Sequence, residues 1–565
     1  NYYTIGYYNP TKARVELDPE EPPEDIKTVF QELEKKEGIK CYYGRWSIEG
    51  KPKVILIDSQ SMNGKIDGIK AGLWERYKVD SLMADSWFND PLVWATAVGM
   101  LIEALVKKPT FKDKEVVAHF HEWLAGGAIL YFKDKKLNIP TVLTTHATML
   151  GRCMSGQDVD LYKLVNEELG KGKVADPELG KKYRCMEKHT MEMACANNAS
   201  VLTTVSEITA KEAEYILGRK VDVVLHNGLD FSRYPDADEL TISRRRNRKI
   251  MRGFLSAYFC RYYYMDFSNI RSMFISGRYE YHNKGIDLFI QSLGRLNDRL
   301  KKEKVDKNIV VFLFIPSGTK GENIEVLKNI SLFEEMADRV DEEMPEIKEK
   351  ILNEIIQGKV PEKFEEIVNE DFIKICKSII VHFTSKKGGV PPLKAFDLSY
   401  PEETDPILKD LKNNNLFNHE EDKVKVIFYP AYLSTADRLI PLDYNEATST
   451  CDVGVFPSYY EPWGYTPLES AALGSLAITT DLAGFGKFIE GKGEGIYVLK
   501  RENRDWEEVV KDLTEKLYEI VTLPRKELIH RRTNAKELSA LADWKILAKN
   551  YLDAHDLAVE KAKSQ

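Results

Sequence analysis

The chain alternates short β-rich runs with segments of helical spacing, and this alternation limits the possible folds. In the first 228 residues, the runs are interpreted as buried strands at residues 53–58, 115–120, 140–145, 200–205 and 221–228. Apolar strands separated by helices are typical of a parallel sheet that is covered on both faces. We therefore expect an α/β domain that binds ligands at the carboxyl ends of its strands.

The same alternation restarts after a basic, tyrosine-rich stretch at residues 244–265. The second series of strand candidates lies at residues 272–279, 308–316, 424–430, 452–457 and 476–481. A chain of 565 residues is too long for one hydrophobic core. The predicted architecture is therefore two α/β domains in tandem with a cleft between them.

Residues 323–418 differ from both series, because they are dense in Glu and Lys and follow helical apolar spacing. No strand-like run interrupts them until residues 378–385. The pattern predicts a helical insertion within the second domain. The insertion is either a solvated helix pair or an oligomer contact. Its apolar stripe slightly favours the contact, because the stripe has to be buried somewhere.

Composition limits the partners. The net charge of −8 disfavours general nucleic-acid binding, which needs a basic surface. The short basic run at residues 244–249 is interpreted as a solvated helix face. Seven scattered cysteines without a CxxC pair predict reduced thiols in a cytosol-like compartment and disfavour structural zinc. No apolar run approaches the ~20 residues that span a bilayer, and no signal peptide is visible.

The stretch YYEPWGYTPLES places two carboxylates, Glu461 and Glu469, just after a strand candidate. A structural interpretation is a capping box, with Thr466 as N-cap, the following proline at N1 and Glu469 at N3. A functional interpretation is phosphate binding by the free N–H groups of a helix start, with Gly464 allowing close backbone approach. We favour the functional interpretation. Three aromatic residues wall the loop: Tyr459, Tyr460 and Trp463.

A second cluster, SGRYEYHNKG, follows the first strand candidate of the second domain. Arg278 and Lys284 lie six residues apart across a turn. Two fixed cations at the end of a strand can neutralise a diphosphate, Arg through a bidentate fork and Lys as a point charge. A solvated turn is the structural alternative, and the phosphate-ready helix in the same domain favours the functional one.

Two histidine clusters lie in the first domain. His119 and His121 alternate along a strand and face the same way, but no third ligand follows at useful spacing, so no metal site is expected. His146 comes just after a strand, and Arg152 lies on the following turn. A polar loop that faces the cleft suits sugar hydroxyls. A satisfied core histidine is the structural alternative for either cluster.

Several segments together resemble glycogen synthases of the animal and fungal type, glycosyltransferase family 3. The segments are AHFHEWLAG, TTHATMLGR, TTVSEITAKEAE, SGRYEYHNKGIDLFIQSL and FPSYYEPWGYTPLES. The resemblance covers essentially the whole chain and includes the charged insertion. It implies the GT-B fold, in which two Rossmann-like domains face a cleft. The implied parts are an acceptor-side domain (1–228), a nucleotide-sugar domain (229–540) with its insertion (323–418), and a helix (541–565) that returns to the first domain.

The resemblance also implies the reaction. Glucose moves from UDP-glucose to the non-reducing 4-hydroxyl of an α-1,4-glucan with retention of configuration, without a metal or other cofactor. The implied enzyme is cytoplasmic and homo-oligomeric, with a tetramer as the expected size. Three alternatives are use of ADP-glucose or another acceptor, a non-catalytic glucan-binding protein, and a PLP-dependent glucan phosphorylase. The last has no support, because no segment resembles its Schiff-base lysine segment.

Site roles follow from the same resemblance. Glu461 and Glu469 match the E-x7-E motif of the family, in which the first carboxylate lies nearest the reacting sugar and the second binds the ribose. Arg278 and Lys284 match the cationic pair that offsets charge on the departing UDP. Further implied contacts are Gly464, Tyr465 and Thr466 with the phosphates, His146, Arg152 and Asn227 with glucose, Tyr444 with uracil, and Trp463 with the substrate.

The chain departs from the family pattern in two places. The Gly-rich Lys-x-Gly-Gly loop of the family precedes a segment like NYYTIGYY, so we expect it to lie before Asn1. The arginine-dense helix that senses glucose 6-phosphate is thinned here to Arg525, Arg531 and Arg532. Fewer cations predict weaker phosphate capture and place activation by glucose 6-phosphate in doubt.

Overall fold

The computed structural model describes residues 2–360 and 363–564, with the backbone alone at 364 and 365. The chain divides into two compact units. Unit 1 combines Asn1–Leu229 with Ala542–Gln565, and unit 2 is Asp230–Leu541. Both units are α/β and contain parallel sheets. The prediction of two α/β domains with parallel sheets is confirmed.

Unit 1 contains two four-stranded sheets, with orders β1-β4-β3-β2 and β5-β6-β7-β8. The strands are β1 (Thr4–Tyr7), β2 (Leu17–Pro19), β3 (Lys40–Trp46), β4 (Lys53–Asp58), β5 (Ala118–His121), β6 (Thr141–Thr145), β7 (Val201–Thr204) and β8 (Val223–Val224). The second sheet is parallel throughout. The run at 53–58 joins a separate mixed sheet, because a short turn pairs β4 antiparallel with β3.

Helices connect these strands. They are α1 (Pro10–Glu16), α2 (Glu24–Glu37), α3 (Ile66–Tyr77), α4 (Ser86–Val106), α5 (Pro109–Lys112), α6 (Glu122–Asp134), α7 (Met149–Ser155), α8 (Leu161–Gly170), α9 (Leu179–Lys182), α10 (Met186–Asn198) and α11 (Glu207–Leu217). By length and composition, α4 alone among the described helices could cross a membrane, contrary to the expectation from sequence. It is weak evidence for a span, because over half of its apolar window is buried and it packs against α2 and α6.

Unit 2 is built on a six-stranded parallel sheet with the order β13-β10-β9-β14-β15-β16. Its strands are β9 (Ile270–Ser276), β10 (Asn308–Phe314), β13 (Val424–Tyr429), β14 (Val453–Val455), β15 (Leu476–Thr480) and β16 (Ile496–Leu499), beside an antiparallel pair, β11 (Thr319–Glu322) and β12 (Phe396–Leu398). The strand order reverses between β9 and β14. The loops after these two strands therefore flank the switch point, where open α/β sheets bind ligands.

The helices of unit 2 cover this sheet and form the insertion. They are α12 (Ala237–Phe259), α13 (Ile286–Lys302), α14 (Ile324–Ile356), α15 (Phe364–Ile367), α16 (Glu370–Phe383), α17 (Pro406–Asn413), α18 (Tyr444–Ser449), α19 (Tyr465–Ala472), α20 (Gly484–Ile489), α21 (Trp506–Thr522) and α22 (Arg525–Ser539). The helical insertion is confirmed over α14 and α16, while 361 and 362 lie outside the described residues. The strand-like interpretation of 378–385 is wrong, because Asn369 caps a helix that runs to Phe383.

The basic run at 244–249 is a solvated face only in part, at Arg245, Arg246 and Lys249. It lies within α12, where the Arg244 side chain is buried and donates to the backbone oxygens of Cys451 (2.5 Å) and Gly474 (3.0 Å). Arg248 pairs with Asp452 at 2.9 Å. Arg244 and Arg248 therefore fix α12 to the segments that contain Cys451, Asp452 and Gly474.

The last helix of the chain, α23 (Trp544–Lys563), belongs to unit 1. It packs on β6 and β7. Polar contacts fasten it, since Asn138 Nδ2 donates to the Ala562 carbonyl at 3.1 Å and Lys561 Nζ pairs with Asp222 at 2.5 Å. The end of the chain thus covers the parallel sheet of the first unit.

Candidate active site

The loops after β9 and β14 are clamped together at the switch point of unit 2. The carbonyl of Asn283 accepts hydrogen bonds from the backbone N–H groups of Tyr459 (2.8 Å) and Tyr460 (3.2 Å). Gly285 has φ of +67°, and a Cβ there would lie 2.0 Å from the Pro457 carbonyl oxygen. Only glycine fits this close approach. The two predicted clusters therefore form one site.

Within that site, Lys284 and Glu461 form an ion pair. Lys284 Nζ donates to Glu461 Oε2 at 2.5 Å, and each side chain is 16% exposed. The Glu461 backbone is fastened too, because its carbonyl accepts from Gly484 N at 3.0 Å. Partial burial strengthens such a pair relative to one in water. The structure thus places a fixed cation against the predicted catalytic carboxylate.

Arg278 lies on the same loop but makes a different contact. Its Nη2 is 3.1 Å from Glu280 Oε1, and its side chain is 70% exposed. Arg278 is therefore an exposed, paired cation on the same loop as the more buried Lys284.

The predicted capping box is wrong. Gly464, with φ of +105°, is the N-cap of α19, so Thr466 is the second helical residue. Because Gly464 adopts the left-handed conformation, α19 begins at Tyr465, two residues before the helix start that the Thr-Pro pair predicts. Among the described residues, no side chain caps α19. Its first N–H groups therefore carry the partial positive charge that favours an anion.

Glu469 lies one turn into α19. Burial raises the pKa of its carboxyl. Its charge in turn helps to raise the pKa values of three nearby tyrosine hydroxyls: Tyr234, Tyr444 and Tyr465. Nowhere in residues 2–360 or 363–564 is a hydrogen bond or ion pair made by this carboxylate. Glu469 is therefore a half-buried acceptor that a ligand hydroxyl could reach.

Two aromatic residues occupy different positions around this site. The hydroxyl of Tyr444 lies 2.9 Å from Ser276 Oγ at the end of β9, which fixes the ring at the switch point. Trp463 is only 3% exposed and packs against Phe485 and Phe488. The Trp463 ring therefore packs inside the loop, and its contact with substrate stays a prediction.

In unit 1, His146 follows β6 and contacts the end of β5. Its backbone N–H donates to Glu122 Oε1 at 3.1 Å, and its Nε2 lies 3.1 Å from His121 Nδ1. Burial, with the charges of His121 and Arg152, lowers the pKa of His146 to about 4, so the imidazole is neutral at pH 7. Arg152 Nη2 lies 3.9 Å from Glu122 Oε1. His146 and Arg152 are thus joined through one carboxylate.

Two further residues singled out in unit 1 are Asn227 and His119. Asn227 is 7% exposed and follows β8. His119 lies 3.0 Å from His555 and 2.6 Å from the Thr144 hydroxyl, and burial lowers its pKa to about 3. In the described part of the chain, no group of three or more His, Cys, Asp or Glu side chains could hold a metal ion.

The three arginines of α22 are spread over different environments. Arg531 is surrounded by Glu519 (2.7 Å) and Glu527 (2.8 Å). Arg532, whose side chain is 12% exposed, donates to the Gly474 carbonyl at 2.7 Å, and desolvation lowers its pKa to about 9. Arg525 is an exposed residue at the start of the helix. Arg531 and Arg532 therefore hold α22 against the rest of unit 2.

Parallel α/β units with a basic, carboxylate-bearing switch point are typical of GT-B glycosyltransferases, and the chain is an enzyme of this class. A sequence profile described as "Glycogen synthase" matches residues 1–565. The chain is 35% identical to the glycogen [starch] synthase of Neurospora crassa, over 99% of this chain and 79% of that protein. It is 36% identical to that of Caenorhabditis elegans, over 99% and 83%. The chain belongs to the glycogen synthase family.

The similarity to solved structures is more distant. The catalytic domain of Starch Synthase IV from Arabidopsis thaliana, bound to ADP and acarbose, superposes with a TM-score of 0.47 at 11% identity over 99% of both chains. The predicted family and the predicted enzyme class, a glucosyltransferase acting on a glucan, are confirmed by the sequence relatives. The individual roles of the site residues stay predictions.

Proposed function

We propose that the enzyme transfers glucose from UDP-glucose to the non-reducing 4-hydroxyl of an α-1,4-glucan with retention of configuration. The observation that carries this proposal is the Lys284–Glu461 pair, 2.5 Å apart at the switch point of unit 2. The loop that carries Glu461 also leads into the N-terminus of α19, which no side chain of the described residues caps. Cation, carboxylate and free N–H groups are what a nucleotide diphospho-sugar requires.

Each group has a distinct task in this reaction. The N–H groups at Gly464, Tyr465 and Thr466 bind the diphosphate. Lys284 and Arg278 stabilise the negative charge that develops on the departing UDP, which lowers the barrier because the charge grows in the transition state. Glu461 stabilises the positive charge that develops on the glucosyl carbon. The proposed reaction uses no metal or organic cofactor, because Lys284 and Arg278 stabilise the charge on the leaving UDP.

The other contacts hold the substrate. Glu469 accepts a hydrogen bond from a ribose hydroxyl, and the ring of Tyr444 stacks on the base. A stacked ring tolerates either base, so the choice of uracil over adenine rests on family membership. In unit 1, neutral His146 contacts the glucose 6-hydroxyl side, with Arg152 and Asn227 as further sugar ligands.

The test is transfer of radiolabelled glucose to glycogen from UDP-glucose and from ADP-glucose, with and without glucose 6-phosphate. We expect transfer from UDP-glucose and little response to glucose 6-phosphate, because Arg531 already pairs with Glu519 and Glu527. Preferential use of ADP-glucose would overturn the proposal that UDP-glucose is the donor. Absence of transfer from either donor would favour a glucan-binding protein without catalysis.

We further propose that the enzyme is a cytoplasmic homotetramer that assembles through α14. Six apolar side chains on this helix are between 37% and 81% exposed: Ile324, Val340, Met344, Leu352, Ile355 and Ile356. Their burial against another copy removes them from water. All seven cysteines are free thiols, in agreement with a reducing compartment. Light scattering tests the assembly, and a monomer at micromolar concentration would contradict it.

A further inference from the structure

A short loop of unit 1, residues 146–149, has its backbone N–H groups bound by carboxylates. His146 N donates to Glu122 Oε1 at 3.1 Å, and Ala147 N also donates to Glu122. Thr148 N donates to Glu212 Oε1 at 2.9 Å. This loop leads from β6 into α7, so the contacts fix the backbone between the sheet and the helix that carries Arg152.

A third carboxylate completes the set. Met149 N donates to Glu192 Oε2 at 2.8 Å. The Thr148 hydroxyl donates to Glu212 at 2.7 Å and accepts from Gly151 N at 3.0 Å. The three carboxylates come from three helices, α6, α10 and α11. Four consecutive N–H groups are thus held by elements that are far apart in the sequence.

Burial makes this arrangement unusual. Glu212 is fully buried and Glu192 is 3% exposed. Carboxylates so deeply buried are costly unless hydrogen-bonded or protonated. Burial and the charge of Glu122 raise the pKa of Glu192 well above its usual value, and burial raises the pKa of Glu122 to about 7. Backbone carbonyl or hydroxyl groups could accept the same hydrogen bonds from the loop N–H groups with a smaller desolvation penalty.

The backbone at Glu122 is strained as well. Its φ is +62°, a left-handed conformation that costs roughly 1–3 kcal/mol for a non-glycine residue. This conformation turns the Glu122 carboxylate toward His146 N and to 3.9 Å from Arg152 Nη2. Strain of this kind persists where the surrounding structure requires one geometry, and it is concentrated at functional sites.

We propose that Glu122, Glu192 and Glu212 are positioning residues that hold His146 and Arg152 in place for the glucosyl group of the donor. They act through the 146–149 loop. This inference rests on the proposed function, which assigns His146 and Arg152 to glucose. It predicts that disturbing a carboxylate weakens binding of the glucosyl moiety more than binding of the nucleotide.

The test compares UDP-glucose with UDP by calorimetry, using the full chain. Glu192→Ala removes the acceptor for Met149 N, whereas Glu192→Gln keeps an oxygen in the same place. We expect Glu192→Ala to weaken UDP-glucose binding about tenfold while UDP binding changes less than twofold, and Glu192→Gln to restore most of the difference. Glu214→Ala, a half-exposed glutamate on α11, is the matched control.

If Glu192→Ala does not fold, Glu122→Gln is the second variant. It keeps the oxygen that accepts from His146 N and removes the charge near Arg152, so the same selective loss for UDP-glucose is expected. Equal losses for UDP and UDP-glucose, or no loss in a folded variant, would overturn the inference. A wild-type chain that binds UDP but not UDP-glucose would instead count against the proposed function.

Hydrogen exchange gives a readout that does not depend on ligand. In the wild type, the four amides of the 146–149 loop are expected to be protected, because buried carboxylates accept from them. Glu192→Ala should accelerate exchange at least tenfold in the peptide that contains residues 146–152, and Glu192→Gln should restore protection. Rapid exchange in the wild-type peptide would contradict the positioning role.

Discussion

Two loops of this enzyme connect a parallel strand to a helix, and they treat the helix N-terminus in opposite ways. In unit 1, the 146–149 loop fills the start of α7 with the carboxylates of Glu192 and Glu212. In unit 2, the loop after β14 leaves the start of α19 uncapped among the described residues, and its Glu461 pairs with Lys284 from the loop after β9. An anion from solution therefore finds an open helix start in unit 2, whereas in unit 1 the N–H groups are already occupied.

The difference follows from elementary electrostatics. A helix start favours negative charge. Where the chain supplies carboxyl oxygens that accept from these N–H groups, the loop is held in place and can present side chains such as His146. Where the chain supplies cations and glycine instead, the charge has to come from a ligand. The same local geometry thus serves positioning in one unit and binding in the other.

The largest effect is expected from Glu461→Gln. The proposed function has this carboxylate stabilise the reacting glucosyl group, so we expect its removal to lower kcat roughly 1,000-fold with folding intact. The assay is radiolabelled glucose transfer, with circular dichroism to check the fold. Glu494→Gln, at a 68% exposed position, is the matched control. Normal turnover by Glu461→Gln would remove Glu461 from the mechanism.

Arg278→Ala should have the next largest effect. Arg278 is 70% exposed and lies on the loop that carries Lys284, and the proposed function pairs its guanidinium with the leaving diphosphate. We expect kcat to fall about 100-fold and KM for glycogen to stay unchanged. Arg295→Ala, also an exposed and paired arginine, controls for loss of surface charge. An effect confined to glycogen KM would contradict a leaving-group role.

Gly464→Ala probes the uncapped helix start itself. An added Cβ would lie 3.2 Å from Glu461 Cγ at φ of +105°, so we expect a loss of roughly 1–2 kcal/mol in unfolding free energy and weaker UDP binding. Gly491→Ala has φ of +75° and open space around the Cβ. It should lose similar stability without weakening UDP binding. Equal UDP affinity in both variants would argue against a phosphate site at α19.

The smallest effect concerns pH. Burial raises the pKa of Glu469 above its usual 4.5, so the folded state favours the neutral carboxyl. That contribution is fully present below the unfolded-state pKa and is lost as pH rises through the folded-state pKa. Glu469→Gln stays neutral, so its Tm should exceed that of the wild type at about pH 8 and match it at about pH 4. A Tm difference between Glu469→Gln and the wild type that does not change with pH would contradict a raised pKa of Glu469 as its cause.

Much of the fold could be predicted from sequence because buried parallel strands are continuously apolar. Runs such as 140–145 and 308–316 gave strands β6 and β10 within a few residues. The run at 378–385 was misinterpreted as strand-like. Its Ile-rich segment also has the spacing of an amphipathic helix, and the cap at Asn369 decides between the two.

The site was predicted less completely. Residues close in sequence, such as Glu461 and Glu469, could be found from their pattern, whereas the backbone angle of Gly464 that moves the helix start could not. Glu192 and Glu212 were missed, because their partners lie 43 and 64 residues away. A signal did exist: Glu212 lies at helical spacing with Ile208 and Ile216, on the buried side of α11.

A crystal structure of the enzyme with UDP would locate the diphosphate. We expect its terminal phosphate within hydrogen-bonding distance of the N–H groups of Tyr465 and Thr466 and of Lys284 Nζ, with a ribose hydroxyl on Glu469. Phosphates bound elsewhere, with α19 left empty, would contradict the assignment of the switch point of unit 2 as the donor site.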